Sequence, residues 1–193
     1  MRTIIRYILR NKDGIRVFTP FLIVLALILL IGCSGSDIRK TLLSYYSQKV
    51  VFPSSLTVIT GASNDMRSIQ DSIPKVVLFI DSTECSSCRI GRLIEYEDLA
   101  AESLRTGSFM MAIIISPLRK DFDYARHLLE QYDYPFPIYL DQSHCFRKDN
   151  AFIPDDIRFH AFFVDANNNP VLVGDPTRGK NIRQLFQQKL SEL

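Results

Sequence analysis

Residues 75–89 read Lys75-Val76-Val77-Leu78-Phe79-Ile80-Asp81-Ser82-Thr83-Glu84-Cys85-Ser86-Ser87-Cys88-Arg89. Val76 to Asp81 is an apolar run of strand length closing on an acid, the pattern of a central strand covered on both faces. Ser82 and Thr83 lead out of it, and from Ser86 to about Leu104 the period turns helical, with Ile90, Leu93 and Ile94 on one stripe and Leu104 extending it. Cys85 therefore falls where a buried strand hands over to a helix. Backbone N–H groups left unpaired in a helix's first turn favour an anion there, and three residues' spacing puts Cys88 one turn further along the same face.

Working outward, Phe109 to Ser116 (FMMAIIIS) reads as a second buried strand, Phe136 to Asp141 (FPIYLD) as a third and His160 to Asp165 (HAFFVD) as a fourth. Asp121 to Tyr132 between them has helical spacing through Tyr124, Leu128 and Gln131. Asn167-Asn168-Asn169-Pro170 is a turn, with Val171 to Gly174 returning as a hairpin partner. Asn181 to Leu193 reads as a closing helix with Ile182, Leu185, Phe186 and Leu190 buried. Upstream, Ser36-Asp37 precedes an amphipathic stretch from Ile38 to about Val51, with Ile38, Leu42, Tyr45 and Tyr46 on one face, ending before Pro53. Leu56 to Thr60 reads as a strand, and 61–73 as loop or a short helix. The expected fold class is α/β: a central mixed sheet flanked by helices, preceded by an N-terminal signal or anchor helix.

The N-terminus differs from the rest. Arg2, Arg6, Arg10, Lys12 and Arg16 precede Pro20 and an apolar run, Phe21 to Ile31. That run is short of the ~20 residues a spanning helix needs and has the form of an export signal. An uncleaved anchor over Val17 to Gly32 is the alternative. The run ends in Leu30-Ile31-Gly32-Cys33, which resembles the lipobox of bacterial lipoproteins; the resemblance implies cleavage before Cys33, acylation of its sulfur and an envelope location facing the periplasm. The expected division is 1–32 signal, 33–54 linker and helix, 55–193 globular domain. Five of the 23 basic residues and one of the 21 acidic ones lie in the first 32, so the remainder carries 18 and 20. The basicity belongs to targeting, and no nucleic-acid footprint remains.

Four cysteines occur: Cys33, Cys85, Cys88 and Cys145. With Cys33 acylated three remain, an odd number that cannot complete a structural disulfide framework. A thiolate rather than a thiol attacks disulfides, and a free cysteine ionises only near ~8.5. Placing Cys85 at a helix start supplies the stabilisation that exchange needs, with Cys85 as nucleophile and Cys88 as resolving thiol. A bridge closing so small a loop constrains little of the unfolded chain, which argues against a purely structural role.

Residues 75–89, together with Phe159-His160-Ala161-Phe162-Phe163-Val164-Asp165 and Asn168-Asn169-Pro170-Val171-Leu172-Val173-Gly174-Asp175-Pro176, resemble thioredoxin-like envelope lipoproteins of the Bacteroidetes, related to TlpA-type thiol–disulfide reductases. The resemblance covers about residues 50 to 193. It implies a thioredoxin-like fold, dithiol chemistry with protein dithiol or disulfide partners and a reductant partner in the membrane. Three departures accompany it. Glu84 stands where thioredoxins carry Trp, and a carboxylate there is expected to oppose thiolate formation. Phe79 occupies the position of thioredoxin's buried Asp. Phe159 falls at the family's cis-proline, and since a cis bond before another residue costs about 3–4 kcal/mol, a trans bond is expected.

Asp81 reads equally as turn chemistry or as a proton acceptor near the dithiol. His160 reads first as a half-buried strand histidine. The functional alternatives are a thiolate neighbour or the third ligand of a copper site with Cys85 and Cys88, as in Sco-type chaperones, whose cysteine spacing is wider. Cys145, beside His144, reads as a small buried residue, and Arg89 and Arg92 as a solvated helix face. No cofactor and no resident metal are expected. The leading function is a thiol–disulfide oxidoreductase in the reductase or isomerase direction; a copper-binding chaperone and a non-catalytic interaction domain are the alternatives.

Overall fold

The computed structural model describes residues 33–59, 69 and 72–193. Two compact units are distinguished, Met1–Leu42 and Leu43–Leu193. The expected signal segment lies outside the described residues, as does most of 61–73. No helix among the described residues is long and apolar enough to cross a membrane.

Helix α1 runs Cys33–Tyr46, starting and ending earlier than its periodicity suggested. Ser47 explains the stop: both its N–H and its hydroxyl turn back onto the Ser44 carbonyl, the local bonding by which serine competes with helix continuation. Asp37 is inside the helix, not its cap. The expected shared face divides, because Tyr45 is buried and Tyr46 is exposed.

Six strands follow: β1 Thr57–Ile59, β2 Lys75–Ile80, β3 Met110–Ile115, β4 Ile138–Leu140, β5 Ala161–Val164 and β6 Pro170–Val173. They form one sheet in the order β1-β4-β3-β2-β5-β6. β2, β3 and β4 are parallel, while β1, β5 and β6 pair antiparallel with their neighbours. The parallel strands are the continuous apolar runs, as burial on both faces requires.

Two layers cover the sheet. Val76, Leu78 and Ile80 of β2, with Met111, Ile113 and Ile115 of β3, share the larger core with α2 Ser86–Ile90, α3 Glu97–Thr106, α4 Phe122–Tyr132 and α6 Lys180–Glu192. The opposite face is aromatic. Phe162 meets Tyr45 from the end of α1, and Phe79 meets Phe146 from α5, Cys145–Asp149. Helix α5 was not anticipated. Asp141, at the end of β4, nucleates it by accepting the N–H groups of Cys145 at 3.0 Å and Phe146 at 2.8 Å, and also the Ser116 hydroxyl. Buried Asn150 then ties α5 to the chain after α1 through both the N–H and the carbonyl of Val51. Parallel β2-α-β3, a return through α5, and an antiparallel hairpin closed by a helix constitute the thioredoxin-like fold.

The helix expected over 86–104 is broken. It comprises α2, a 3-10 turn Leu93–Tyr96 and α3, parting at Gly91, where an added Cβ would already touch the Tyr132 hydroxyl. The buried stripe passes through Ile90, Leu93, Tyr96, Leu99 and Ala100, leaving Ile94 and Leu104 exposed. In α4 the core face is Phe122, Ala125 and Leu129, with Tyr124 and Gln131 outside; in α6 Phe186 is buried and Leu185 is not. Helix α3 ends on Gly107 at φ 63°, its N–H bonded to the Ser103 carbonyl. Nothing lies within 4 Å of a Cβ built there. Gly107→Ala therefore meets only the left-handed backbone penalty, and urea unfolding is expected to show a loss of about 1 kcal/mol; an unchanged midpoint would refute this.

Candidate functional site

Cys85 and Cys88 form a disulfide at the C-terminal end of β2, their Cα atoms 5.3 Å apart. Both residues are exposed. Cys85 is the N-cap of α2, with φ −68° and ψ 94°, and its sulfur accepts the Cys88 N–H at 3.4 Å. The Ser87 hydroxyl lies 3.5 Å from the same sulfur. The expected placement at a helix start is observed, but α2 has only five residues. Its macrodipole is correspondingly small, and direct N–H donation carries the stabilisation.

Cys85 also lines an open cleft of about 410 Å³, together with Ser82–Ser87 and, from the α4 side, Leu118, Asp121, Tyr124 and Ala125. Leu118 and Tyr124 are 45% and 58% exposed. Cys88 is not among the lining residues. Cys85 thus shares the cleft with two apolar side chains, Leu118 and Tyr124.

Glu84, the residue before Cys85, belongs to a buried polar network. Glu84 has only 7% of its side chain exposed and His160 1%. Glu84 Oε1 sits 3.0 Å from His160 Nδ1 and accepts the Asp81 N–H at 3.2 Å. Glu84 Oε2 lies 3.2 Å from Arg89 Nε, an ion pair by distance without hydrogen-bond alignment. The other ring nitrogen of His160, Nε2, faces the Pro154 carbonyl at 2.8 Å. Burial pushes the Glu84 carboxyl up, but the His160 hydrogen bond, the Arg89 charge and the Asp81 amide outweigh it and hold the group below its ordinary value.

These positions correct several expectations. His160 is fully buried, and it closes the 3-10 turn Ile157–Phe159 instead of standing within the strand. Arg89 is turned in toward Glu84; Arg92 stays outside, paired with Glu95. Asp81 accepts the Ser82 N–H at 2.7 Å and pairs with Arg147 at 3.5 Å, which is turn chemistry fixed by a cation. Arg147 also donates to the carbonyls of Ile153 and Pro154 and pairs with Asp155, holding the segment that carries His160's acceptor. Phe159 is buried, its carbonyl accepting the Tyr45 hydroxyl, and no cis peptide bond occurs among the described residues. Cys145 is free and half-buried, and Cys33 opens α1. Both ring nitrogens of His160 are engaged, so this imidazole is not free to complete a copper site with the dithiol. Among the described residues no group of three or more His, Cys, Asp and Glu side chains converges on a metal position.

No family model matches the chain, and no curated protein does. Among solved structures it is similar to the exposed lipoprotein thioredoxin Etrx1 of Streptococcus pneumoniae, at 19% identity over 72% of this chain and 100% of that one, with a TM-score of 0.46. A thioredoxin-like protein of Porphyromonas gingivalis gives 16% identity over 77% and 92%, TM-score 0.45. StoA from Bacillus subtilis gives 14% over 71% and 99%, TM-score 0.44.

Proposed function

We propose that this chain is an envelope thiol–disulfide oxidoreductase that exchanges disulfides with protein partners, in the reductase or isomerase direction, with Cys85 as nucleophile and Cys88 as resolver. One observation carries the reading: an exposed disulfide whose first sulfur caps a helix and receives a backbone N–H, on a residue lining a cleft that Leu118 and Tyr124 also line.

In the reduced protein the Cys85 thiolate attacks one sulfur of a partner disulfide. A Cys85–partner bond forms and the partner's other sulfur leaves as thiolate. Cys88 then loses its proton and attacks the Cys85 sulfur, which expels the second partner thiolate and closes Cys85–Cys88. Two electrons pass from the dithiol to the partner, and a dithiol donor at the membrane is proposed to return them. Lipid attachment at Cys33 belongs to the same proposal; its support is the basic segment, the short apolar run and Leu30-Ile31-Gly32-Cys33.

Trapping tests this. Cys88→Ser removes the resolving sulfur, so partner proteins are expected to remain disulfide-bonded to Cys85 in envelope extracts, released by dithiothreitol and absent from the Cys85→Ser/Cys88→Ser double variant. Recovery of no such complex would overturn the exchange reading.

A further inference from the structure

Asp121 is the N-cap of α4, a position where aspartate ordinarily accepts one of the helix's free N–H groups. Here its side chain makes no capping bond, and among the described residues it has no ion pair and no hydrogen-bond partner. It is half-buried and lines the cleft that Cys85 also lines. Tyr124 and Ala125 follow it at spacings of three and four, the same face of the helix, and both line the cleft with it. The α4 side of the cleft thus presents an uncommitted carboxylate next to an exposed aromatic ring. Glu84, the other ionisable residue of the lining, is committed to His160, Arg89 and the Asp81 N–H, with 7% of its side chain exposed.

Resting on the exchange reading above, we infer that the cleft selects partner segments carrying a Lys or Arg close to the reactive cysteine, with Asp121 as the residue that sets this preference. Four residues of helix rise about 6 Å, the length of about two residues of extended chain, so a segment whose cysteine is at Cys85 brings only its nearest neighbours to the α4 side. A cation there meets a carboxylate that has no ion pair of its own, and the Tyr124 ring attracts the same cation through its face. An acidic neighbour meets that carboxylate as a like charge. Arg119 and Lys120 precede Asp121 and Asp123 follows it, all three exposed and outside the lining. Two cations and two anions in this stretch leave no net charge, so the preference arises in contact and not from long-range steering.

The test uses the reduced full chain carrying Cys88→Ser, which stops after the first attack, and short synthetic peptides whose single cysteine is disulfide-bonded to thionitrobenzoate. The peptides differ only in Lys, Ala or Glu at the second position before or after the cysteine. The Cys85 thiolate attacks the peptide sulfur, a Cys85–peptide disulfide forms, and thionitrobenzoate leaves as a coloured thiolate that reports the rate. Each rate is divided by that of the same peptide with mercaptoethanol, a neutral thiol, so the peptide's own reactivity cancels. The Lys peptide is expected to react about tenfold faster than the Glu peptide, about threefold from attraction gained and about threefold from repulsion avoided, the size of solvent-accessible charge pairs. Asp121→Asn is expected to bring that ratio to within about twofold of one, and Asp121→Lys to invert it, an inversion that loss of fold cannot produce. Each ratio is taken within one protein, so a change in the intrinsic reactivity of Cys85 drops out. A Lys-to-Glu ratio below about twofold on both sides of the cysteine, a ratio that survives Asp121→Asn, or no inversion in Asp121→Lys would each overturn the inference and leave exchange itself standing. Release of no thionitrobenzoate from any peptide would overturn the exchange reading, and the inference with it.

Discussion

Cys85→Ser is expected to abolish disulfide exchange and leave the fold intact. Insulin reduction with dithiothreitol as electron source should fall on the order of a thousandfold, to the rate of the buffer thiol alone, because serine's hydroxyl is scarcely ionised and forms no mixed disulfide. Cys88→Ser differs in kind: it retains the first attack and loses turnover. The asymmetry comes from the geometry. Cys85 receives the Cys88 N–H and faces the cleft beside Leu118 and Tyr124, whereas Cys88 does not line it. Stability should hardly move. Both cysteines are exposed, so no core packing is lost, and the bridge spans a sequence separation of only three, which constrains little of the unfolded chain. A Cys85→Ser protein keeping more than a tenth of its activity would transfer the nucleophile's role to Cys88 or Cys145.

The parallel strands were legible because burial on both faces writes itself as unbroken apolar runs, and β2 and β3 carry those runs in full register, Val76 opposite Met111 through Ile80 opposite Ile115. Helix faces were less legible where two apolar stripes overlap. In α4 the residues Phe122, Tyr124, Ala125, Leu128 and Leu129 satisfy helical spacing in more than one phase, and packing selects Phe122, Ala125 and Leu129. Helix α5 had no apolar period to show; it exists because the side chain of Asp141 caps it from three residues before its N-cap, His144. The dithiol was readable from spacing and from the strand before it. Its polar support was not, because Glu84 and His160 are 76 positions apart. One signal was present. A strand beginning at Ala161 and running antiparallel to β2 places the residue before it at the end of β2 where the cysteine loop starts, as the Leu78–Ala161 pairing and the Phe79 N–H to His160 carbonyl bond confirm.

Phe79→Ala carries the second large expected effect, and it joins the core to the site. Phe79 is fully buried on the aromatic face of the sheet, its ring 5.0 Å from that of Phe146 and 5.4 Å from the His160 imidazole. Truncation removes the transfer energy of the ring and leaves a cavity between rings that are themselves pinned, Phe146 by the Asp141 cap and His160 by Glu84 and Pro154. Neighbours held in this way relax little into a void, so the cost should be about 3–5 kcal/mol in denaturant unfolding. At about 2–4 °C per kcal/mol for a domain of this size, Tm should fall by roughly 6–20 °C. Phe79→Leu, which keeps most of the volume, should cost about 1.5 kcal/mol or less. A loss below about 1 kcal/mol for Phe79→Ala would mean that the aromatic layer is loosely packed and the imidazole is not held from the sheet.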